Sequence, residues 1–244
     1  MPVQDRYPNY IEDQRRFFDE KITEEWGSYI SSDWDYSRNF EVQQLFRRVR
    51  PATVLNVGCG CGFQDILMAE YSFVERVDAI DYSEQSVSKA NAEYPHPKVQ
   101  RSVQDFSAFA PEKPYDLVVS FAVFEHFRDA HKYMDSCRRS CVKGGVVAIC
   151  TPNRLRIDNF LRTLKGEQPV LSAIMHYKEY TAREIYRLGK EVGLKPLGYF
   201  GYGINQFVLF GRLFLAGLNT PQRMWAGYLL KPLATELCVL MRRD

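Results

Sequence analysis

The chain has 244 residues, of which 45% are hydrophobic and 14% aromatic, which suits one large α/β domain with a full core. A formal net charge of +2 favours no polyanionic partner such as nucleic acid. The N-terminus has no apolar stretch typical of a signal peptide, and no run of about 18 apolar residues predicts a membrane-spanning helix. The six cysteines lack the paired CxxC spacing of zinc ribbons and, without a secretion signal, indicate reduced thiols in a cytoplasmic protein.

The first 50 residues predict helices, because Phe17, Phe18, Ile22 and Trp26 recur near helical spacing. After Pro51, short apolar runs alternate with helix-length segments. The predicted strands are Thr53–Val57, Val74–Ile80, Val99–Val103, Tyr115–Phe121, Val146–Cys150, Lys195–Tyr202 and Glu236–Arg242. The predicted helices are Phe63–Tyr71, Ser83–Tyr94 with Ser83 as N-cap, Ala130–Cys141 ending at Gly144-Gly145, Thr181–Val192 ended by Gly193, and the apolar segment Ile204–Thr235.

Strands that are apolar throughout and separated by helices indicate a mostly parallel sheet covered on both faces. We therefore predict a Rossmann-like, doubly wound α/β fold with seven strands, and helical additions at the N-terminus and between the last strands. We expect a single domain over residues 1–244. Residues 1–50 would form a helical cap, residues 51–152 the ligand-binding core, and residues 153–244 a substrate lid with the last strands.

The strongest motif is the loop Gly58-Cys59-Gly60-Cys61-Gly62, which joins the first predicted strand to a helix. A sharp turn that lets a ligand approach the backbone closely requires glycine. The helix that follows offers free N–H groups at its start. Asp81 ends the second strand, where an acidic side chain can accept hydrogen bonds from both hydroxyls of an adenosine ribose.

A nicotinamide dinucleotide site would need the spacing GxGxxG. Counted from Gly58 and Gly60, the third glycine should stand at position 63, which is Phe63. Counted from Gly60 and Gly62, it should stand at position 65, which is Asp65. The spacing here is GxGxG, so a dehydrogenase is not favoured.

Residues 52–152 resemble the core of class I S-adenosylmethionine-dependent methyltransferases. The resemblance implies S-adenosyl-L-methionine as cofactor, with Asp81 on the ribose and Tyr82 against the adenine. It implies that Gly58, Cys59, Gly60 and Gly62 line the methionine part, that Gln104, Asp105 and Phe106 frame the adenine, and that Phe121, ending the fourth strand, faces the cofactor. Many relatives have an acidic residue where this chain has Asn56. Asn56 keeps an acceptor for the cofactor's ammonium group but lacks the charge.

The segment after the fourth strand, Val123-Phe124-Glu125-His126, is similar to the "VLEH" pattern of small-molecule methyltransferases, including the ubiquinone-biosynthesis O-methyltransferases. His126 is a candidate general base for a hydroxyl acceptor; it could instead only pack near the cofactor or cap the short helix. Glu125 could orient His126 or bind a cation. Some ubiquinone-type relatives carry a second acidic residue where this chain has Ala122, so no metal is expected.

Several features concern the acceptor. The Asn/Asp-Pro-Pro-Tyr motif of base- and amide-N-methylating relatives is absent, and no basic patch interleaved with aromatics predicts nucleic-acid binding. Asn153, His176 and Tyr177 are candidates to line the substrate pocket. The apolar stretch 207–218 could be buried lid, an interfacial helix in peripheral contact with a membrane, or a dimer surface.

The leading hypothesis is methyl transfer to a hydroxyl of a small molecule, a sugar or a lipid-linked acceptor, mainly by proximity and alignment. An N- or C-methyltransferase of a small molecule is the alternative within enzymes. A non-catalytic cofactor-binding partner subunit is the alternative of another class. The sequence leaves the oligomeric state open.

Overall fold

The computed structural model describes residues 12–20, 32–209 and 212–244. The helices are α1 (residues 12–20), α2 (Ser32–Phe46), α3 (Phe63–Ala69), α4 (Glu84–Glu93), α5 (Ala130–Ser140), α6 (Ile157–Leu164), α7 (Ala182–Glu191) and α8 (Thr220–Leu229), with 3-10 turns at Phe124–His126 and Lys231–Leu233. The strands are β1 (Thr53–Val57), β2 (Arg76–Asp81), β3 (Val99–Val103), β4 (Tyr115–Phe121), β5 (Cys141–Pro152), β6 (Leu194–Tyr202), β7 (Phe207–Leu209), β8 (Arg212–Phe214) and β9 (Glu236–Arg243).

Seven strands form one sheet in the order β3-β2-β1-β4-β5-β9-β6, which confirms the predicted Rossmann-like fold. Strands β1 to β5 pair in parallel, and β9 runs antiparallel to both of its neighbours. In the register, Val57 lies beside both Ile80 and Ser120. The carboxyl ends of β1, β2 and β4 therefore meet at one edge, where such sheets bind ligands.

Apolar residues from both faces of the sheet supply two core layers. On one face Leu55, Val118 and Ile149 pack with α5 and α7, represented by Met134 and Ile185. On the other face the remaining strand residues pack with α2, α3 and α8. Because both faces are covered, the central strands carry apolar residues on both faces, which is the pattern that predicted them.

The predicted end of α5 is wrong. The helix stops at Ser140, and β5 begins at Cys141, so Gly144 and Gly145 lie within the strand. A Cβ on Gly145 would lie 2.9 Å from the carbonyl oxygen of Asp116 on β4, so the close pairing of the two strands requires glycine there. Gly145 marks this close approach rather than a helix end.

The prediction of a helical segment over residues 204–235 is only partly right. Residues 207–214 include a two-stranded hairpin of β7 and β8, in which the rings of Phe207 and Phe214 stack at 5.3 Å. Helix α8 follows, started by a capping box between Asn219 and Gln222. An apolar run of this length does not distinguish a helix from a hairpin.

The contact predicted for residues 207–218, with a membrane or with a second copy, stays a prediction. Within this stretch the side chain of Phe214 is 40% exposed. Among the described residues, no helix is long and apolar enough to cross a membrane. The helical prediction for Ile22 and Trp26 falls outside the described residues.

All six cysteines are buried, and none of them forms a disulfide bond.

Candidate active site

The glycine loop turns sharply between β1 and α3. Gly58, Gly60 and Gly62 all have positive φ values, of 72°, 50° and 79°. A Cβ on Gly58 would lie 2.4 Å from a methyl group of Val123, whereas a Cβ on Gly60 would meet nothing within 4 Å. Gly58 is thus needed because the segment after β4 packs against it, and Gly60 faces open space that a ligand can approach.

Asp81 stands at the carboxyl end of β2 with its carboxylate already held. Its Oδ2 accepts a hydrogen bond from the N–H of Gly60 at 2.9 Å, and its Oδ1 accepts one from the N–H of Ser83 at 2.9 Å. Burial raises the pKa of Asp81, and the backbone hydrogen bonds oppose that rise. Each oxygen keeps a second lone pair, as the predicted contact with two ribose hydroxyls requires.

The residues predicted to frame the adenine lie beside Asp81. The N–H of Gln104 donates to the carbonyl oxygen of Asp81 at 2.8 Å, which fixes the loop after β3 against β2. Asp105 is exposed, and its Oδ1 accepts from the N–H of Ser107. Phe106 is buried and packs edge-on against Tyr133 in the core. Tyr82 is half-buried next to Asp81.

The amide of Asn56 is held on one side beneath the glycine loop. Its Nδ2 donates to Asp65 at 2.7 Å, and Asp65 in turn accepts from Nε of Arg101 at 2.8 Å. All three side chains lie under the glycine loop, and Arg101 also donates to the carbonyl oxygen of Gly62. Burial raises the pKa of Asp65 to about 6, against the opposing effect of Arg101. Asn56 therefore supports the loop from beneath through Nδ2, while its Oδ1 has no hydrogen-bond partner among the described residues, and the contact of that acceptor with the cofactor stays a prediction.

Backbone geometry at the end of β4 directs the next residues into the site. The side chain of Phe121 is buried in the core layer of α2, so Phe121 can face a ligand only through its backbone. Ala122 adopts a positive φ of 54°, which is uncommon for a residue other than glycine. This turn brings Val123 onto the glycine loop and starts the 3-10 turn Phe124–His126.

Glu125, His126 and His176 form a cluster at this edge of the sheet. One possible ligand atom from each lies within 4.8 Å of the other two. The two imidazole rings meet edge to face at 4.9 Å. Nδ1 of His126 lies 3.0 Å from the carbonyl oxygen of Met175, so that nitrogen carries the hydrogen and Nε2 keeps its lone pair. The sequence analysis named Glu125 and His126 as catalytic candidates and His176 as a residue of the substrate pocket. The structure brings all three together.

The ionisation of this cluster follows from its burial. Glu125 is fully buried, which raises its pKa to about 7, although the nearby His176 acts in the other direction. Burial and the neighbouring His176 lower the pKa of His126 to about 3. His126 is therefore a neutral imidazole at physiological pH.

Two supporting residues were missed by the sequence reasoning. Oε1 of Glu179 lies 3.0 Å from Nδ1 of His176, and Thr151 donates its hydroxyl to Oε2 of Glu125 at 2.8 Å. Burial would raise the pKa of Glu179, but hydrogen bonds from His176 and Ser172 hold it at about 2. The i,i+3 spacing of His176 and Glu179 was the available signal. The Thr151 contact joins β5 to the 3-10 turn after β4, and nothing in the sequence near either residue predicts it.

The structure also separates the predicted substrate residues. Asn153 is corrected, because its Nδ2 donates to the carbonyl oxygens of Pro232 and Ala234 at 3.0 and 2.9 Å and its Oδ1 accepts from Leu155. It fastens the chain after β5 to the chain before β9. Tyr177 donates its N–H to the carbonyl oxygen of Glu125 at 2.9 Å, so the segment that carries His176 is docked on the cluster. The Tyr177 ring lies against the guanidinium of Arg128.

Helix α1 lies over the site and touches both of its parts. Asp19 accepts a hydrogen bond from the hydroxyl of Ser83, the residue after Tyr82, at 2.5 Å. The ring of Phe18 packs edge-on against His126 at 5.3 Å. Residues 12–20 therefore contact both the Asp81 side and the His126 side, and the cap role of residues 1–50 stays a prediction.

A second buried polar cluster ties the cap to the far end of the sheet. Glu41 on α2 accepts from the hydroxyl of Tyr202, pairs with Arg38 at 3.2 Å and accepts from Gln64 on α3 at 3.2 Å. Glu236 lies near this cluster, and burial raises its pKa well above the ordinary value. Sequence reasoning did not find this cluster, since its members come from four separate elements.

Comparison with known proteins agrees with this geometry. A family model described as a methyltransferase domain matches residues 34–197. A probable S-adenosylmethionine-dependent methyltransferase of Mycolicibacterium smegmatis is 29% identical over 71% of this chain and 65% of its own length. A ubiquinone biosynthesis O-methyltransferase of Bordetella avium is 27% identical over 67% of this chain and 70% of its own. The chain spans less than two thirds of the mycobacterial relatives it matches, 65% of one and 45% of others.

Solved structures share the fold. Magnesium protoporphyrin IX methyltransferase from Synechocystis, with S-adenosylhomocysteine bound, superposes with a TM-score of 0.64 at 12% identity over 96% of this chain and 99% of that one. A methyltransferase in complex with the Haloferax volcanii Trm112 activator superposes with a TM-score of 0.67 at 14% identity, over 93% and 97% of the two chains. With the glycine loop, Asp81 and the sheet order in place, the chain belongs to the methyltransferase-domain family and is similar to S-adenosylmethionine-dependent methyltransferases.

Proposed function

We propose that the protein transfers the methyl group of S-adenosylmethionine to a hydroxyl oxygen of a small molecule, a sugar or a lipid-linked acceptor. The observation that carries the proposal is the cluster of Glu125, His126 and His176 beside the glycine loop. Its inward-facing atoms are lone-pair acceptors. A site of this kind serves a nucleophile that must lose a proton as it reacts, which is the case for a hydroxyl.

The proposed step balances as a single displacement. The acceptor oxygen attacks the methyl carbon, the carbon–sulfur bond breaks, and the bonding pair stays on sulfur, which leaves S-adenosylhomocysteine. The hydroxyl proton passes to a lone pair of the cluster, in which Nε2 of both His126 and His176 is free. Alignment of the two reactants supplies most of the acceleration, and removal of the proton adds about 10²–10⁴-fold.

Features around the cluster support an acceptor with an apolar part. The segment between β5 and His176 carries exposed apolar side chains: Leu155, Phe160, Leu164, Val170, Leu171 and Ile174. An exposed apolar group of this size on one segment is typical of a ligand or lipid contact. Among the relatives, the one from Bordetella avium is named for ubiquinone biosynthesis, which agrees with such an acceptor.

The experiment is an acceptor screen with S-adenosylmethionine labelled with ¹³C in the transferred methyl group. Phenols, sugars, isoprenoid alcohols and matched amines are incubated with the protein, and the ¹³C shift of each product separates methoxy, N-methyl and C-methyl groups. We expect a methoxy product. Transfer to nitrogen or carbon alone would replace the proposal with the alternative assignment.

A further inference from the structure

We propose that Glu125, His126 and His176 form a binding site for a divalent transition-metal cation. The site is assembled from the 3-10 turn after β4 and from the segment before α7, which lie side by side. This proposal rests on the placement of three side chains, and it does not depend on which acceptor the protein methylates. The sequence had predicted no metal, because Ala122 stands where some ubiquinone-type relatives have an acidic residue.

Each of the three side chains offers one atom with a free lone pair. Nε2 of His176 lies 3.8 Å from Oε1 of Glu125, and one ring nitrogen of His126 belongs to a group of ligand atoms, one from each residue, that lie within 4.8 Å of one another. Oε1 of Glu125 is buried and has no hydrogen-bond partner among the described residues. A buried carboxylate oxygen without a partner is costly, and a cation at this position would satisfy it.

The outer atom of each side chain is already fixed. Nδ1 of His126 lies 3.0 Å from the carbonyl oxygen of Met175, Nδ1 of His176 lies 3.0 Å from Glu179, and Oε2 of Glu125 accepts from Thr151. Metal-binding histidines generally donate the other ring N–H to a carbonyl or carboxylate, and ligand carboxylates are hydrogen-bonded in turn. All three side chains follow that rule, which an acid–base pair would not require.

The donor set indicates the class of cation. Two imidazoles and one carboxylate suit Zn²⁺, Co²⁺, Mn²⁺ or Fe²⁺, whereas Mg²⁺ and Ca²⁺ prefer oxygen ligands. Ligand atoms around such an ion stand about 3 Å apart, given bonds of about 2.0–2.2 Å. The observed separations of 3.8 and up to 4.8 Å would contract by about an ångström or more on binding, within the reach of side-chain rotation.

Three protein ligands leave coordination positions open. An acceptor oxygen could fill one of them, and the cation would then lower the pKa of the hydroxyl, with its proton leaving to water. A bound cation takes the lone pair of His126, so that imidazole would hold the metal and would not itself act as the base.

The experiment titrates untagged, cofactor-free protein with Co²⁺ and follows the visible absorption of the metal, with metal content checked by mass spectrometry after dialysis against Zn²⁺. We expect one equivalent to bind with spectral features of nitrogen ligation. Glu125→Gln, His126→Ala and His176→Ala should each raise the dissociation constant at least tenfold. S-adenosylhomocysteine binding and thermal unfolding show whether each variant is folded, and His126→Gln replaces any variant that is not.

The chain offers a matched control. The two other histidines are His96 and His131, so the double variant His96→Ala/His131→Ala keeps only the proposed pair and should bind Co²⁺ as the wild type does. Absence of binding by the folded wild type at millimolar Co²⁺ would overturn the proposal. Binding that survives in both His126→Ala and His176→Ala, or that is lost in the double control, would overturn it as well.

Discussion

The N–H of Gly60 lies 2.9 Å from Oδ2 of Asp81, although the two residues belong to different strand–helix connections. The second oxygen of Asp81 is held by Ser83 at the same distance. The glycine loop and the carboxylate of Asp81, which is predicted to bind the ribose, are therefore one unit that is ordered before any ligand arrives. Little ordering remains to oppose cofactor binding, which favours affinity.

Asp81→Ala should weaken binding of S-adenosylmethionine and S-adenosylhomocysteine at least tenfold, because a hydrogen bond to a charged group contributes about 1.5–3 kcal/mol. Asp81→Asn keeps one acceptor and should lose less. Isothermal titration calorimetry measures both. The control is Asp129→Asn. It makes the same change of charge at the start of α5, where Asn can still cap the helix. Equal affinity of Asp81→Ala and wild type would remove Asp81 from the cofactor site.

Alanine substitution should separate the roles of two glycines. Gly58→Ala places a methyl group 2.4 Å from the Val123 side chain at a φ of +72°, so we expect a loss of stability of about 1–3 kcal/mol. Gly60→Ala meets nothing within 4 Å and should cost about 1–2 kcal/mol of backbone strain. Its main effect should be a more than tenfold loss of S-adenosylhomocysteine affinity.

Gly144→Ala is the control for both glycine variants. It combines a φ of +81° with open space, so it carries the backbone strain alone and should bind the cofactor normally. Urea unfolding and calorimetry give stability and affinity for the three variants. Normal cofactor affinity in Gly60→Ala would show that the ligand does not approach this part of the loop.

Arg101→Met should destabilise the fold by about 3–5 kcal/mol near neutral pH, because it leaves the carboxylate of Asp65 buried without a counter-charge. The pKa of Asp65, about 6 in the presence of Arg101, should rise further. A carboxyl whose pKa is raised by folding contributes stability at low pH and loses that contribution as the pH rises. The deficit of the variant should therefore shrink as the pH is lowered from about 8 towards 6.

Urea unfolding at several pH values tests this prediction. The double variant Asp65→Asn/Arg101→Met removes the lone carboxylate and should recover part of the stability near pH 8 while losing the pH dependence of the deficit. A deficit of Arg101→Met that is independent of pH would contradict the account, and would assign the effect to the lost hydrogen bonds from Arg101 to carbonyl oxygens.

Asp19→Ala should loosen α1 from the site, since it removes the 2.5 Å hydrogen bond from Ser83 and leaves Ser83 to cap α4. Hydrogen exchange of residues 12–20, read by mass spectrometry, should become several-fold faster. Asp13→Ala is the matched control on the same helix, because its ion pair with Arg16 lies on the surface and contributes little. Unchanged exchange in Asp19→Ala would mean that other contacts hold the helix.

Features that are local in the chain could be read from the sequence. The apolar strands between Thr53 and Cys150 and the spacing of Gly58, Gly60 and Gly62 depend on neighbours within a few residues, and they placed the sheet and the cofactor loop correctly. Asp81 was found because the end of β2 always lies beside the end of β1 in such a sheet.

Contacts between distant segments could not be read in the same way. Nothing near His176 in the chain indicates that it lies beside Glu125. The prediction that Asn153 lines the substrate pocket could not foresee that its amide donates to the carbonyl oxygens of Pro232 and Ala234. The contact of Asn56 with Asp65, which Arg101 holds in turn, was not predicted from the sequence, because it depends on packing between separate elements. The helical prediction for residues 204–235 was partly wrong for another reason. An apolar run has no periodicity that distinguishes a hairpin from a helix.

The pairing of Tyr202 with Glu236 has a consequence for engineering the chain. The two residues are register partners on β6 and β9, so the segment of residues 203–235 leaves and re-enters the sheet at a single point. Loops with adjoining ends tolerate replacement by segments of other lengths. A graft would have to keep Gly227, since a Cβ there would lie 2.2 Å from the carbonyl oxygen of Gly203. A graft would also have to keep the carbonyl oxygens at positions 232 and 234 that hold Asn153, and the packing of Met224 and Tyr228 on the core, while the glycine loop and Asp81 stay unchanged.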